Sequence, residues 1–158
     1  MSALFEPIAL RSLTIPNRVW MAPMCQYSAA TDGPDVGAPT DWHFSHLASR
    51  ATGGAGLILV EATAVSPEGR ISPADLGLWN ARQQSAYPRI VEFLKQQGAV
   101  PGIQLAHAGR KASTDAPWRG GAAIPPERGG WRPVGPSPVP YGGRHPVPGE
   151  LTTEQIAR

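Results

Sequence analysis

The run GLILVEATAV, residues 56–65, constrains the fold more than any other part of the chain. It is apolar at consecutive rather than alternate positions, so a strand made from it is buried on both faces. Burial on both faces belongs to parallel sheets covered by helices, and the flanking segments agree with that architecture. RVWMAP reads as an earlier strand and VPGIQLAHAG as a later one. Between the first two strands, DWHFSHLASRA reads as a helix capped by Thr40 or Asp41 and closed by Gly53 and Gly54. Between the second and third, ARQQSAYPRIVEFLKQQG reads as a helix interrupted at Pro88 and closed at Gly98. The strand ends then fall near Cys25, Ala62 and Gln104, roughly 40 residues apart, a repeat suited to βα units.

Four segments follow from this reading. Residues 1–18 carry two short apolar runs, IAL and LTI, joined by Arg11-Ser12, which predicts a small hairpin. Residues 19–112 form the βαβαβ block. Residues 113–150 are an excursion; nine prolines and eight glycines fall within 117–149, interleaved with Trp118, Trp131 and Tyr141. The aromatics favour a loop folded back over apolar surface rather than a free linker. Residues 151–158 start a third helix, with Thr152 or Thr153 as cap. That helix stops within two turns, so the expectation is of a split or truncated chain.

Bulk properties remove several functions. Fourteen Lys and Arg against twelve Asp and Glu give a net charge of +2, scattered along the chain. No basic stripe follows a phosphate backbone, so nucleic acid is not expected as a partner. No apolar run approaches the roughly 20 residues of a membrane helix, and no leader is read at the N-terminus. One cysteine cannot close an intramolecular disulfide, which points to a reducing, cytoplasmic setting.

In parallel α/β folds, functional groups collect at the C-terminal ends of the strands. There the chain places PMCQY, VEATA and IQLAHAGR. In an extended backbone Cys25 and Tyr27 project to the same side, a thiol beside a phenol. Taken alone, each is more often a packing residue. Gln104 offers donors and an acceptor together, suited to the imide edge of a flavin or a pyrimidine-like ring; bonding to a neighbouring strand is an equal alternative. Ala62 marks either tight packing or room for a flat ligand against the backbone. Glu61 ends an apolar run, and burial there calls for a basic partner. His43 and His46 stand one helical turn apart, more readily a structural pair than a metal site. GGAG precedes a strand and therefore ends a helix instead of cradling a phosphate. His107, Arg110 and Lys111 either bind an anion or make packing and salt bridges.

At APMCQYS, VEATAVSPEGRI and IQLAHAGRKAS the sequence resembles the Old Yellow Enzyme family of flavin-dependent ene-reductases. A cysteine after Pro-Met resembles its thermophilic-like subgroup, which includes xenobiotic reductase A. The resemblance implies the N-terminal three βα units of an FMN-binding (β/α)8 TIM barrel, preceded by the hairpin. It implies that Ala22, Pro23, Met24 and Cys25 line the flavin, that Ala62 touches it, and that Gln104 bonds its pyrimidine edge. Tyr27 then reaches toward substrate, and Cys25 tunes the flavin instead of acting as a nucleophile. The implied reaction passes hydride from NADPH, or NADH less often, to FMN and on to an alkene activated by a carbonyl or nitro group. No metal is implied. The family's substrate-anchoring histidines and its phosphate-binding end have no counterpart within these residues. The implied partners are therefore a complementary C-terminal half-barrel chain, small activated alkenes, and further copies of the complete barrel as a homo-oligomer. Two readings compete: a non-catalytic barrel fragment that binds or assembles through its aromatic excursion, and a metal-dependent hydrolase using His43 and His46.

Overall fold

The computed structural model describes residues 2–157. Strands β1 (Ile8–Leu10) and β2 (Leu13–Ile15) pair antiparallel across Arg11-Ser12. Strands β3 (Trp20–Met21), β4 (Leu57–Ala64) and β5 (Val100–Ala106) then form a parallel sheet in the order β3-β4-β5. The first of these is far shorter than its apolar run. The chain leaves the sheet after Met21, and residues 22–27 run on without regular structure.

Helix α1 (Asp41–Thr52) follows Thr40, whose N–H donates to Nδ1 of His43 at 3.0 Å and whose Oγ1 donates to the Ser28 carbonyl at 3.0 Å. It closes at Gly53, and Gly54 turns the chain at φ +90°, a conformation open to a residue without Cβ. The proline divides the second helical stretch into α2 (Ala81–Ala86) and α3 (Pro88–Gln96). Asn80 caps α2 by accepting the Gln83 N–H at 3.0 Å. Pro88 costs α3 nothing at its first position, where a backbone N–H would have no helical partner.

Helices α1 and α3 cover one face of the sheet. Their seam joins Phe44 to Phe93 with ring centres 5.2 Å apart, and Leu47, Ile58, Val60, Ile90 and Leu94 fill the core beneath. The outer edge of β5 pairs with no strand among the described residues. Beside it lies an open apolar groove of about 500 Å³, lined by Tyr87, Ile90, Val91, Val100 and Ile103.

One irregularity in β4 governs the functional face. Val60 pairs with Ile103 and Ala62 with Gln104, so Glu61 is an extra residue in β4 with no partner in β5. Such a bulge reverses the alternation of side chains beyond it. Ala62, which regular alternation would turn toward the helices, instead shares a face with Gln104.

The excursion folds back onto the chain, though less onto apolar surface than its aromatics promised. The guanidinium of Arg70 lies 5.0 Å from the ring centre of Trp131 and 5.4 Å from that of Trp79. Arg70 also donates to the carbonyls of Pro67 and Pro73. The Trp131 indole N–H donates to the Glu68 carbonyl at 2.9 Å. An indole has an electron-rich face and one donor, and here both are used on polar partners. Two short parallel strands, β6 (Val134–Gly135) and β7 (Gly149–Glu150), close the loop on itself before α4 (Thr153–Ile156), capped by Thr152.

Candidate functional site

The sequence-predicted residues fall into two groups that the fold brings together. Ala62 and Gln104 are paired in register on β4 and β5 and so lie side by side on the face away from the helices. Gln104 is exposed on that face, free of the neighbouring-strand hydrogen bond that burial would have demanded. The second group is the irregular segment after β3. Ala22 and Met24 are exposed, and Pro23, Cys25 and Tyr27 are half-buried.

Cys25 links the groups. Burial pushes its thiol up to about 11, and the carboxylates of Asp75 and Glu61 add to the rise. The backbone amide of Ala62 on β4 opposes it by donating toward the sulfur. Tyr27 also titrates above the ordinary phenol range, first through burial and then through Cys25, Asp75 and Glu61. Thiol and phenol lie close enough for the charge of one to bear on the other, though not by the extended-strand route. The strand has ended six residues earlier, and Tyr27 has a left-handed backbone, φ 50°.

A group whose pKa is raised stays protonated through neutral pH. Cys25 should then alkylate with iodoacetamide at about pH 8 roughly a hundredfold more slowly than an ordinary free cysteine, since only the thiolate attacks. The rate should climb as pH approaches the raised value. Fast alkylation at neutral pH would show an ionised thiol and remove this account of the site.

Several residues at the site carry no motif. Asp75 is 3% exposed; its carboxylate accepts from the Ser72 hydroxyl at 2.7 Å and the Ile71 N–H at 2.8 Å. Burial nevertheless holds it above the usual carboxylate range. Trp118, from the excursion, meets Tyr27 edge-on at 5.3 Å. The two rings border a polar cavity of about 460 Å³ shared with Ser72, Asp115 and Arg119. Only folding brings a tryptophan of a Pro/Gly-rich loop to this place.

Other expectations are extended or corrected. Glu61 does face a basic residue, His43 at 3.8 Å, and its carboxylate also accepts the Gln26 N–H at 3.0 Å, a partner the sequence alone did not name. His43 and His46 diverge, the first toward Glu61 and the second stacked on Trp42 at 6.3 Å. Among the described residues no three His, Cys, Asp or Glu side chains are grouped to hold a metal ion. His107 accepts the Gly109 N–H, Arg110 donates to Ser137, and Lys111 lies over Tyr141. Arg110 and Lys111 fasten the excursion, His107 holds its own turn, and the three are engaged with separate partners. No helix among the described residues is long and apolar enough to cross a membrane.

The residues fit a flavin. An uncluttered alanine lies beside an exposed amide with both hydrogen-bond senses, and a neutral thiol adjoins them. Comparison with known proteins points the same way. Residues 3–130 match the model of the NADH:flavin oxidoreductase / NADH oxidase family. An NADPH dehydrogenase of Listeria monocytogenes serotype 4a is 46% identical over 156 residues, covering 99% of this chain and 41% of that one. The solved Old Yellow Enzyme homologue from Zymomonas mobilis superposes with a TM-score of 0.79 at 31% identity, over 99% of this chain and 42% of its own. Morphinone reductase gives 0.77 at 29%, over 98% and 41%. The chain thus spans about two fifths of the length of the relatives it matches.

Proposed function

The chain belongs to the NADH:flavin oxidoreductase / NADH oxidase family, and on that premise we propose that it forms the flavin-facing part of an NAD(P)H-dependent ene-reductase. Its fold is the N-terminal portion of the Old Yellow Enzyme TIM barrel, with β3, β4 and β5 as the first three barrel strands. The observation that carries the proposal is the register pair Ala62–Gln104 with the Cys25 thiol at the Ala62 amide.

FMN, when bound, supplies the hydride acceptor and donor between NADPH or NADH and an alkene activated by a carbonyl or nitro group. The rest of the proposal concerns this chain's own residues. Gln104 meets the donor and acceptor edge of the ring, and Ala62 leaves the ring room to lie against β4. Ala22, Pro23 and Met24 line it from the segment after β3. Cys25, held neutral, contacts the ring without attacking it and tunes its potential. Tyr27 keeps its proton at neutral pH and so can donate a hydrogen bond to the activating group of the alkene. The remaining strands are proposed to come from a complementary C-terminal half-barrel, and the complete barrel to form a homo-oligomer in the cytoplasm.

The residue roles separate by experiment. Gln104→Leu should weaken FMN binding by roughly 5- to 150-fold, since unpaired polar groups on the flavin edge cost about 1–3 kcal/mol. Tyr27→Phe should leave FMN affinity nearly unchanged and lower enone turnover by about tenfold, having lost one hydrogen bond to the reacting carbonyl. Flavin titration and an enone-reduction assay on the complete barrel measure both. Unchanged flavin affinity in Gln104→Leu removes that residue from the site, and flavin loss in Tyr27→Phe removes the division of roles.

A further inference from the structure

Glu61, the residue the bulge adds to β4, has no part in the roles assigned above. It is 5% exposed, where a carboxylate is stable only if hydrogen-bonded or balanced by charge. Its two oxygens are directed to two different elements. Oε1 accepts the N–H of Gln26, the residue between Cys25 and Tyr27, at 3.0 Å. Oε2 stands 3.8 Å from Nε2 of His43 on α1, a ring only 1% exposed. The tautomer of that ring follows from its other nitrogen. Nδ1 accepts the Thr40 N–H at 3.0 Å, so the proton of the neutral imidazole sits on Nε2, facing the carboxylate.

The other ties of the segment around Gln26 run through side chains: the Trp42 indole N–H donates to Gln26 Oε1 at 3.2 Å, and Trp118 meets Tyr27 edge-on. Residues 22–27 form no regular structure, and the next backbone anchor beyond them is the Ala29 N–H on the Ala74 carbonyl, 3.0 Å. A backbone donor on a carboxylate is a charge-assisted bond, stronger than one between neutral groups. The acceptor here is planted on the central strand of the sheet. An irregular segment carrying the thiol and the phenol is thereby tied to the strand paired on both sides.

Resting on the reading of this face as the flavin site, we infer that Glu61 is a positioning residue. Its carboxylate, backed by His43, holds the Cys25–Tyr27 segment where thiol and phenol meet cofactor and substrate.

The test compares Glu61→Ala with Glu61→Gln in the complete FMN-loaded barrel; glutamine keeps an oxygen for the Gln26 N–H. Hydrogen exchange of the peptide spanning residues 22–28, and the alkylation rate of Cys25, are read alongside the visible spectrum of the bound flavin. Glu61→Ala should accelerate exchange and alkylation by about tenfold or more and shift the flavin absorption maximum. Glu61→Gln should return exchange and the flavin maximum toward the parent. Parental exchange in a folded Glu61→Ala protein overturns the inference, and so does fast exchange with an unmoved flavin spectrum. If Glu61→Ala fails to fold, Glu61→Asp decides. It keeps the charge but withdraws the oxygen by one methylene, so accelerated exchange supports the inference and parental exchange overturns it. A parent barrel that binds no FMN overturns the functional reading instead, and the exchange arm alone then decides whether Glu61 holds the segment.

Discussion

Purified alone, the 158-residue chain should lose added FMN on dialysis and associate with itself, whereas the closed barrel should stay yellow and dispersed. Strands β3 and β5 are both edges of the three-stranded sheet, and β5 presents unpaired backbone beside an apolar groove of about 500 Å³. Edges of this kind recruit other strands. The flavin meanwhile would meet one face and one edge of its ring, whereas cofactor sites enclose about 70–90% of a ligand's surface. Parallel barrels also hold phosphate in the loops after their last two strands, and no such loops occur among the described residues. Adding the C-terminal half-barrel should restore dispersion, visible absorption and NAD(P)H-dependent enone reduction together. The measurements are size-exclusion chromatography, the absorption spectrum and the reductase assay on each part and on the mixture. A monomeric isolated chain that retains one FMN would refute the dependence.

Leu94→Ala should produce the largest loss of stability among single core substitutions, about 2–5 kcal/mol. The side chain is 1% exposed, at the contact of α3 with the sheet, among Ile58, Val60, Ile90 and Ala99. Removing it deletes buried methyl groups and leaves a hole that α3, fixed at one end by Pro88 and at the other by the Gly98 turn, has little freedom to close. Measured against the 5–15 kcal/mol typical of a whole domain, such a loss is a large share. A denaturant titration of the closed barrel, followed by helix signal, gives the midpoint shift. A shift equivalent to less than 1 kcal/mol would mean that α3 collapses onto the sheet, and that the helix is held elsewhere.

Legibility in the sequence followed the range of the cue. Thr40, Pro88 and the Gly53-Gly54 and Gly98 closures act within one turn of the chain. The helices stand where those residues place them. The apolar run of β4 reports its burial on the helix face, at Ile58 and Val60, whereas Leu57, Leu59 and Ala62 are only half-buried in place of the expected burial on both faces. Three features were not legible, each for a physical reason. Strand β3 stops at Met21 because its partner β4 pairs with it for only two residues, a matter of register and not of composition. The hydrogen-bond donor to Glu61 is a backbone amide 35 positions away, which no charge pattern encodes. The bulge places Ala62 beside Gln104, and an apolar run without alternation carries no mark of where its phase changes. Strand-end position, and then the family resemblance, single out Ala62 and Gln104, whereas Asp75 and Trp118 come near Cys25 and Tyr27 through tertiary contacts alone.

Tyr27 sits at φ 50°, where glycine or asparagine rests with less strain than a bulky ring. A chain selected only to endure heat would exchange it. Under the proposed role, local stability is given up at one position so that a phenol stands beside Trp118. Replacing Tyr27 by asparagine or glycine to relieve that strain would remove the phenol with it, so a search for sturdier variants should hold position 27 fixed.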